Sequence, residues 1–262
     1  MNAKTFGLTM IKHTQQEKSQ SKRLGWLLCL SLVALVSGCS QETTFKTYDA
    51  PEVPSKVEIA FIGNSLTLHP PKNDIGWELN NGMAASNKNN DYAHKLLAAL
   101  KINEEDSYIR NFYPFESEPS VAKNHISSLQ NVIKKRPKIV IVQLGENVTL
   151  SVRHPFDSIV QISSFPKNYS DLIATLKNDS DKVYCVSTFW ESRLKDYFIK
   201  KGCEENGGVY VYIGDIYKDK NNADTKRIDY AHKGVDAHPK DWGMNQISLR
   251  LQEAILKSTL TQ

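Results

Sequence analysis

Cysteine is scarce in this sequence, with four in 262 residues. That excludes a small scaffold held together by many disulfides. The two in the body of the chain, Cys185 and Cys203, have no histidine pair near them, so they are too few ligands for a zinc site. No apolar run reaches the roughly 20 residues that a spanning helix needs; Leu24 to Val36 falls short of it. Repeats and low-complexity tracts are missing, and so are a P-loop, the Rossmann glycine fingerprint and the Gly-x-Ser-x-Gly elbow. A lasting charge imbalance is missing too. The formal net charge is +4, but residues 1–38 hold Lys4, Lys12, Lys18, Lys22 and Arg23 against Glu17 alone. The remainder carries 28 basic and 28 acidic residues. A neutral body without a basic stripe gives no electrostatic reason for nucleic-acid binding.

What is present begins with an address. Lys22 and Arg23 precede the apolar run, the order of a secretory signal. The run ends in Val36-Ser37-Gly38-Cys39, which resembles the bacterial lipobox. The resemblance implies a signal peptide over 1–38 and a lipid on Cys39. With Ser40 rather than aspartate next, it implies outer-membrane anchoring in a Gram-negative host. Starting translation at Met10 would give a more usual signal length. Residues 39–55, polar and carrying Pro51 and Pro54, read as a tether. The domain is expected over 56–262. In an oxidising envelope Cys185 and Cys203 can pair, or remain two buried thiols.

Along the domain, strands alternate with helices. Val57–Ile62, Tyr108–Phe112, Lys138–Leu144, Val183–Phe189 and Val209–Ile213 read as strands. The near-continuous apolar run KIVIVQL suits a parallel strand covered on both faces. Asp91 is placed to cap a helix whose Tyr92, Leu96, Leu97 and Leu100 share a face. Further helices are expected over Val121–Ile133, around Leu172–Leu176, over Glu191–Cys203, and from about Lys240 onward; residues 69–90 read as a loop. The alternation predicts one mostly parallel five-stranded sheet between helical layers, an α/β/α sandwich. Sites in such folds gather at the carboxyl ends of strands.

Three segments fall at those ends: Gly63-Asn64-Ser65-Leu66-Thr67, Gly145-Glu146-Asn147, and Asp236-Ala237-His238-Pro239. Acyl transfer needs a hydroxyl, a base and donors for the oxyanion. Ser65 on a tight turn relieved by Gly63 supplies the first, and His238 the second. Asn147 and the backbone N–H of Ser65 supply the third. In order, spacing and strand placement the segments resemble the blocks of the SGNH hydrolases, or GDSL esterases, over about residues 56–258. The resemblance implies the family's flavodoxin-like three-layer fold, a Ser65–His238 pair and an oxyanion hole at Ser65 and Asn147. It implies no metal and no organic cofactor.

Two positions depart from the family's pattern. Three residues before His238, where the family carries aspartate, stands Val235; Asp236 is two before. Either Asp236 orients the imidazole in a triad, or a backbone carbonyl does so in a dyad. The stretch Asn111-Phe112-Tyr113-Pro114-Phe115-Glu116 also lacks the glycine that often supplies an oxyanion donor. His69 can line the pocket, and Trp190 and Glu191 can shape it. The remaining histidines read as surface or packing residues. The expected activity is hydrolysis of O-acyl esters through an acyl-enzyme, foremost removal of acetyl from carbohydrate. The expected partner is thus an acylated small molecule or polysaccharide, with membrane contact through the lipid alone. The alternatives are a lipid esterase, lysophospholipase or thioesterase, an acyltransferase, or a non-catalytic carbohydrate-binding lipoprotein.

Overall fold

The structure, a computed structural model, describes residues 50–153, 160–219, 221 and 230–260. The expected signal peptide, Cys39 and most of the tether lie outside the described residues. Five strands form one parallel sheet: β1 (Ile59–Gly63), β2 (Ser107–Asn111), β3 (Ile139–Gln143), β6 (Lys182–Val186) and β7 (Val209–Val211), in the order β2-β1-β3-β6-β7. Between β3 and β6 the chain forms an antiparallel pair, β4 (Ser151–Arg153) with β5 (Val160–Ile162).

Side-chain alternation within each strand decides the layers. Ala60, Ile62, Val140, Val142, Val183 and Cys185 bury one face. Against them pack α3 (Ala122–Ser127), α4 (Gln130–Ile133), α5 (Phe165–Asn178) and α6 (Arg193–Glu205). Ile59, Phe61, Ile141, Tyr184 and Val186 bury the other, beneath α1 (Tyr92–Leu100) and α8 (Asp241–Leu260). Neither face of the central strands meets water, which is why they read as unbroken apolar runs. Two short helices complete the order: α2 (Tyr113–Ser117) after β2, and α7 (Lys233–Asp236) before α8. Asp91 caps α1 as expected, its carboxylate accepting the His94 N–H at 2.8 Å.

Cys185 in β6 and Cys203 in α6 form a disulfide across one helical layer, with Cα atoms 6.0 Å apart. Both residues are fully buried. The cross-link closes a short loop, so its loss is expected to lower stability by about 3 kcal/mol. Urea unfolding with and without a thiol reductant measures this as a lower midpoint at a similar slope.

The sheet order sets where a site can form. The chain moves from β1 outward to β2, then returns to place β3 on the other side of β1. Loops leaving β1 and β3 therefore diverge, and the crevice between them opens at the strands' carboxyl ends.

Candidate active site

Ser65 lies two residues beyond β1, in a turn closed by the Thr67 and Leu68 N–H groups donating to the Asn64 carbonyl. The Asn64 side chain also accepts the Leu66 N–H at 3.1 Å. Gly63 makes the turn possible: a Cβ there would stand 1.9 Å from Thr67 Oγ1 and 3.1 Å from the Gln143 carbonyl oxygen. Thr67 is fixed in turn by the buried Tyr92 hydroxyl, at 2.6 Å. From the other side Met83 donates its N–H to the Ser65 carbonyl, so the loop after Gly76 clamps the turn.

His238 comes to Ser65 across 173 residues of sequence, with Nε2 2.8 Å from the Ser65 hydroxyl. Its Nδ1 lies 2.7 Å from the Gly234 carbonyl oxygen. A carbonyl only accepts, so Nδ1 carries the hydrogen and Nε2 presents its lone pair to Ser65. That is the tautomer a general base needs. The Trp190 ring stands edge-on to the imidazole with centroids 5.0 Å apart. Burial pushes the His238 pKa down to about 4; the Gly234 carbonyl opposes this and nearby His69 adds to it.

Asp236 does not fill the orienting place expected for it. Its carboxylate lies 2.8 Å from the Lys240 ammonium, one helical turn on. The reason is local. Val235 is fully buried against Trp77 and Met83, and anchors α7. The next residue then points away from that anchor, while the Gly234 carbonyl, four residues before His238, faces the ring. The site has the form of a Ser–His dyad with a backbone orienter.

Asn147, exposed on the loop after β3, donates from Nδ2 to Glu116 Oε2 at 2.8 Å. The Ser65 N–H has no acceptor among the described residues. Gly145 adopts φ of +129°, a conformation that favours glycine, and a Cβ there would come 2.8 Å from Ile199 in α6. Glu146 turns the other way, its carboxylate taking the N–H of Phe189 at 2.5 Å and the Gln143 amide at 3.3 Å. Burial pushes Glu146 up to about 8. It ties the loop after β3 to the segment after β6 that carries Trp190. Sequence reading missed Glu116, and it offered a backbone carbonyl as orienter without saying which; the structure places that of Gly234 there. Trp190 and His69 are the expected pocket residues; the structure puts Trp190 against His238, while His69 bears on it only through its charge. Glu191 instead pairs with Lys218 and Tyr212. No cluster suited to a metal ion occurs among the described residues.

No family model matches this sequence, and no curated protein matches it. Several solved structures are similar. One is a two-domain esterase active on acetylated mannans, at 14% identity and TM-score 0.45; the match covers 77% of this chain and 49% of that one. Another is TesA, at 9% identity and TM-score 0.43, covering 75% and 97%. A third is described as a GDSL-like lipase from Bacteroides ovatus, at 11% identity and TM-score 0.46, covering 77% and 99%.

Proposed function

We propose that this protein is a serine ester hydrolase of the SGNH type that removes O-acyl groups, acetyl foremost, from carbohydrate at the bacterial envelope. The observation that carries the reading is the Ser65–His238 hydrogen bond, with the imidazole held in the basic tautomer by the Gly234 carbonyl. Ser65 Oγ attacks the ester carbonyl and its proton passes to His238 Nε2. The tetrahedral oxyanion is received by the Ser65 N–H and by the second hydrogen of Asn147 Nδ2, the first being held by Glu116. The intermediate collapses as His238 returns the proton to the departing alkoxide. Water, activated by the same nitrogen, then releases the acid and restores Ser65.

The motif resemblance, which covers nearly the whole domain, supports the ester-hydrolase class; the carbohydrate class rests on the polar groups of one cavity and on the expected envelope location. A cavity of about 720 Å³ lies against residues 230–232, which lead into α7; Ser65, Asn147 and His238 do not line it. Its lining mixes Trp77 and Leu79 with Asp74, Glu78 and Ser86, groups that bond hydroxyls. The envelope location rests on the lipobox-like Cys39, whose acylation would hold the domain at the membrane surface.

The test is a fluorophosphonate probe on the chain lacking residues 1–39, followed by peptide mapping. Turnover of p-nitrophenyl acetate and of acetylated xylan is assayed alongside. Adduct on Ser65 with acetate release from xylan is the expected result. A folded protein that neither labels nor hydrolyses overturns the catalytic reading. Labelling with hydrolysis confined to long-chain esters overturns the substrate class.

A further inference from the structure

We infer that Glu116 is the positioning residue of the oxyanion hole, a buried carboxylate that sets the plane of the Asn147 amide. The inference rests on the catalytic reading above and deepens it. Glu116 is 4% exposed. It sits in α2, which follows β2 directly and also carries Phe115, stacked on Phe112. No lysine or arginine pairs with it among the described residues. Instead it collects neutral donors: the Gly145 N–H, the Asn147 side chain at 2.8 Å, and longer contacts of 3.4 Å from the Asn147 N–H and the Asn64 side chain. Burial pushes its pKa up, and these donors pull it back.

A carboxylate without a cation is costly to bury, so it is a poor device for stability alone. What this one achieves is geometric. Asn147 is exposed, and its amide would otherwise rotate freely. An amide is planar, so holding one Nδ2 hydrogen fixes the direction of the other. Oxyanion donors act through such preorganisation. Because the Gly145 N–H ends on the same carboxylate, the loop after β3 is held together with the side chain it presents.

The same contacts bear on Asn64, which stands where the family's nucleophile block commonly has aspartate, and on the stretch that lacks the family's glycine. Where the family's blocks carry a glycine after the second strand and commonly an aspartate before the serine, this chain has Glu116 nearby and Asn64. An aspartate at 64 would set two carboxylates against each other; an asparagine donates instead. Asn64 and Glu116 are thus two halves of one arrangement that joins the Ser65 turn to the Asn147 loop.

The experiment compares wild type, Glu116→Gln and Asn64→Asp on p-nitrophenyl acetate from pH 3 to 8, with thermal melts. Glutamine keeps the shape but one acceptor oxygen only. It is expected to lower kcat about 30-fold at every pH while KM stays within about twofold, since the defect lies in the transition state. The acid limb of the profile, set by His238, should not move. Asn64→Asp is expected to lose activity at pH 8 and recover as the pH falls, when one carboxylate of the pair takes a proton. Wild-type kcat in folded Glu116→Gln overturns the inference. If that variant does not fold, Asn64→Asp decides: a pH-dependent loss upholds the inference, a pH-independent one overturns it. Failure of the catalytic reading is distinct, because wild type itself would then be inactive.

Discussion

His238→Ala is expected to lower kcat/KM for p-nitrophenyl acetate by about 10,000-fold, while Asp236→Ala stays within about threefold of wild type. The contrast follows from where the two side chains lie. The imidazole is the group beside the Ser65 hydroxyl, at 2.8 Å, and without it the serine meets the ester as an unactivated alcohol. The residual rate would come from the oxyanion donors and from binding, which act without the base. The Asp236 carboxylate faces Lys240 and is 41% exposed, so its removal leaves the Gly234 carbonyl on Nδ1 untouched. Steady-state kinetics on both variants, with melts to establish folding, check this. A 1,000-fold or greater loss in Asp236→Ala would make the site a triad after all, since orienting aspartates in such triads contribute on that scale.

Activity is expected to persist far into acid. A histidine base works only when neutral, and an ordinary one near 6.5 is mostly protonated at pH 5. With the ring held down to about 4, it remains mostly neutral there. At pH 5 kcat/KM should therefore stay near its neutral plateau, about 30-fold above what an ordinary histidine would allow. The limb should fall through about pH 4. The sign for stability is fixed by the same shift. The folded state binds this proton less readily than the unfolded chain, so the contribution is present above about 6.5 and is lost as the pH drops toward 4. An acid limb centred near 6.5, measured on wild type with initial rates, would show that the ring is solvated in the working enzyme.

Much of the fold was legible because its signals are local and its layers simple. The apolar runs at β1, β3 and β6 are continuous because helices cover both faces, and the sequence can carry no alternation there. Asp91 announced α1 through the capping chemistry of its carboxylate. The stretch Val121–Ile133, expected as one helix, breaks near Ser128 into α3 and α4. Ser128 bonds its hydroxyl to the His125 carbonyl and accepts from Arg110, contacts that draw the backbone out of a single helical run. The β4–β5 pair went unread; three-residue strands leave almost no period to detect. Ser65 and Asn147 were legible as residue types after strands, and His238 by its place ahead of the last helix. The orienter stayed open between Asp236 and a carbonyl, because every residue has a carbonyl and only the fold brings one particular carbonyl to the ring. Glu116 escaped because its role depends on three loops meeting, and its own stretch was marked only by a missing glycine.

The order in which the pieces of the site leave the ribosome has a consequence of its own. The nucleophile turn closes next to the first strand, whereas its base arrives 173 residues later, just ahead of the last helix. That helix must dock against α1 before the imidazole can reach the hydroxyl. Contacts of such long sequence range form late in folding. A growing or unfolded chain therefore carries an ordinary serine, chemically silent toward every ester it passes. On the proposed reading, reactivity waits until α8 has docked and brought His238 to Ser65.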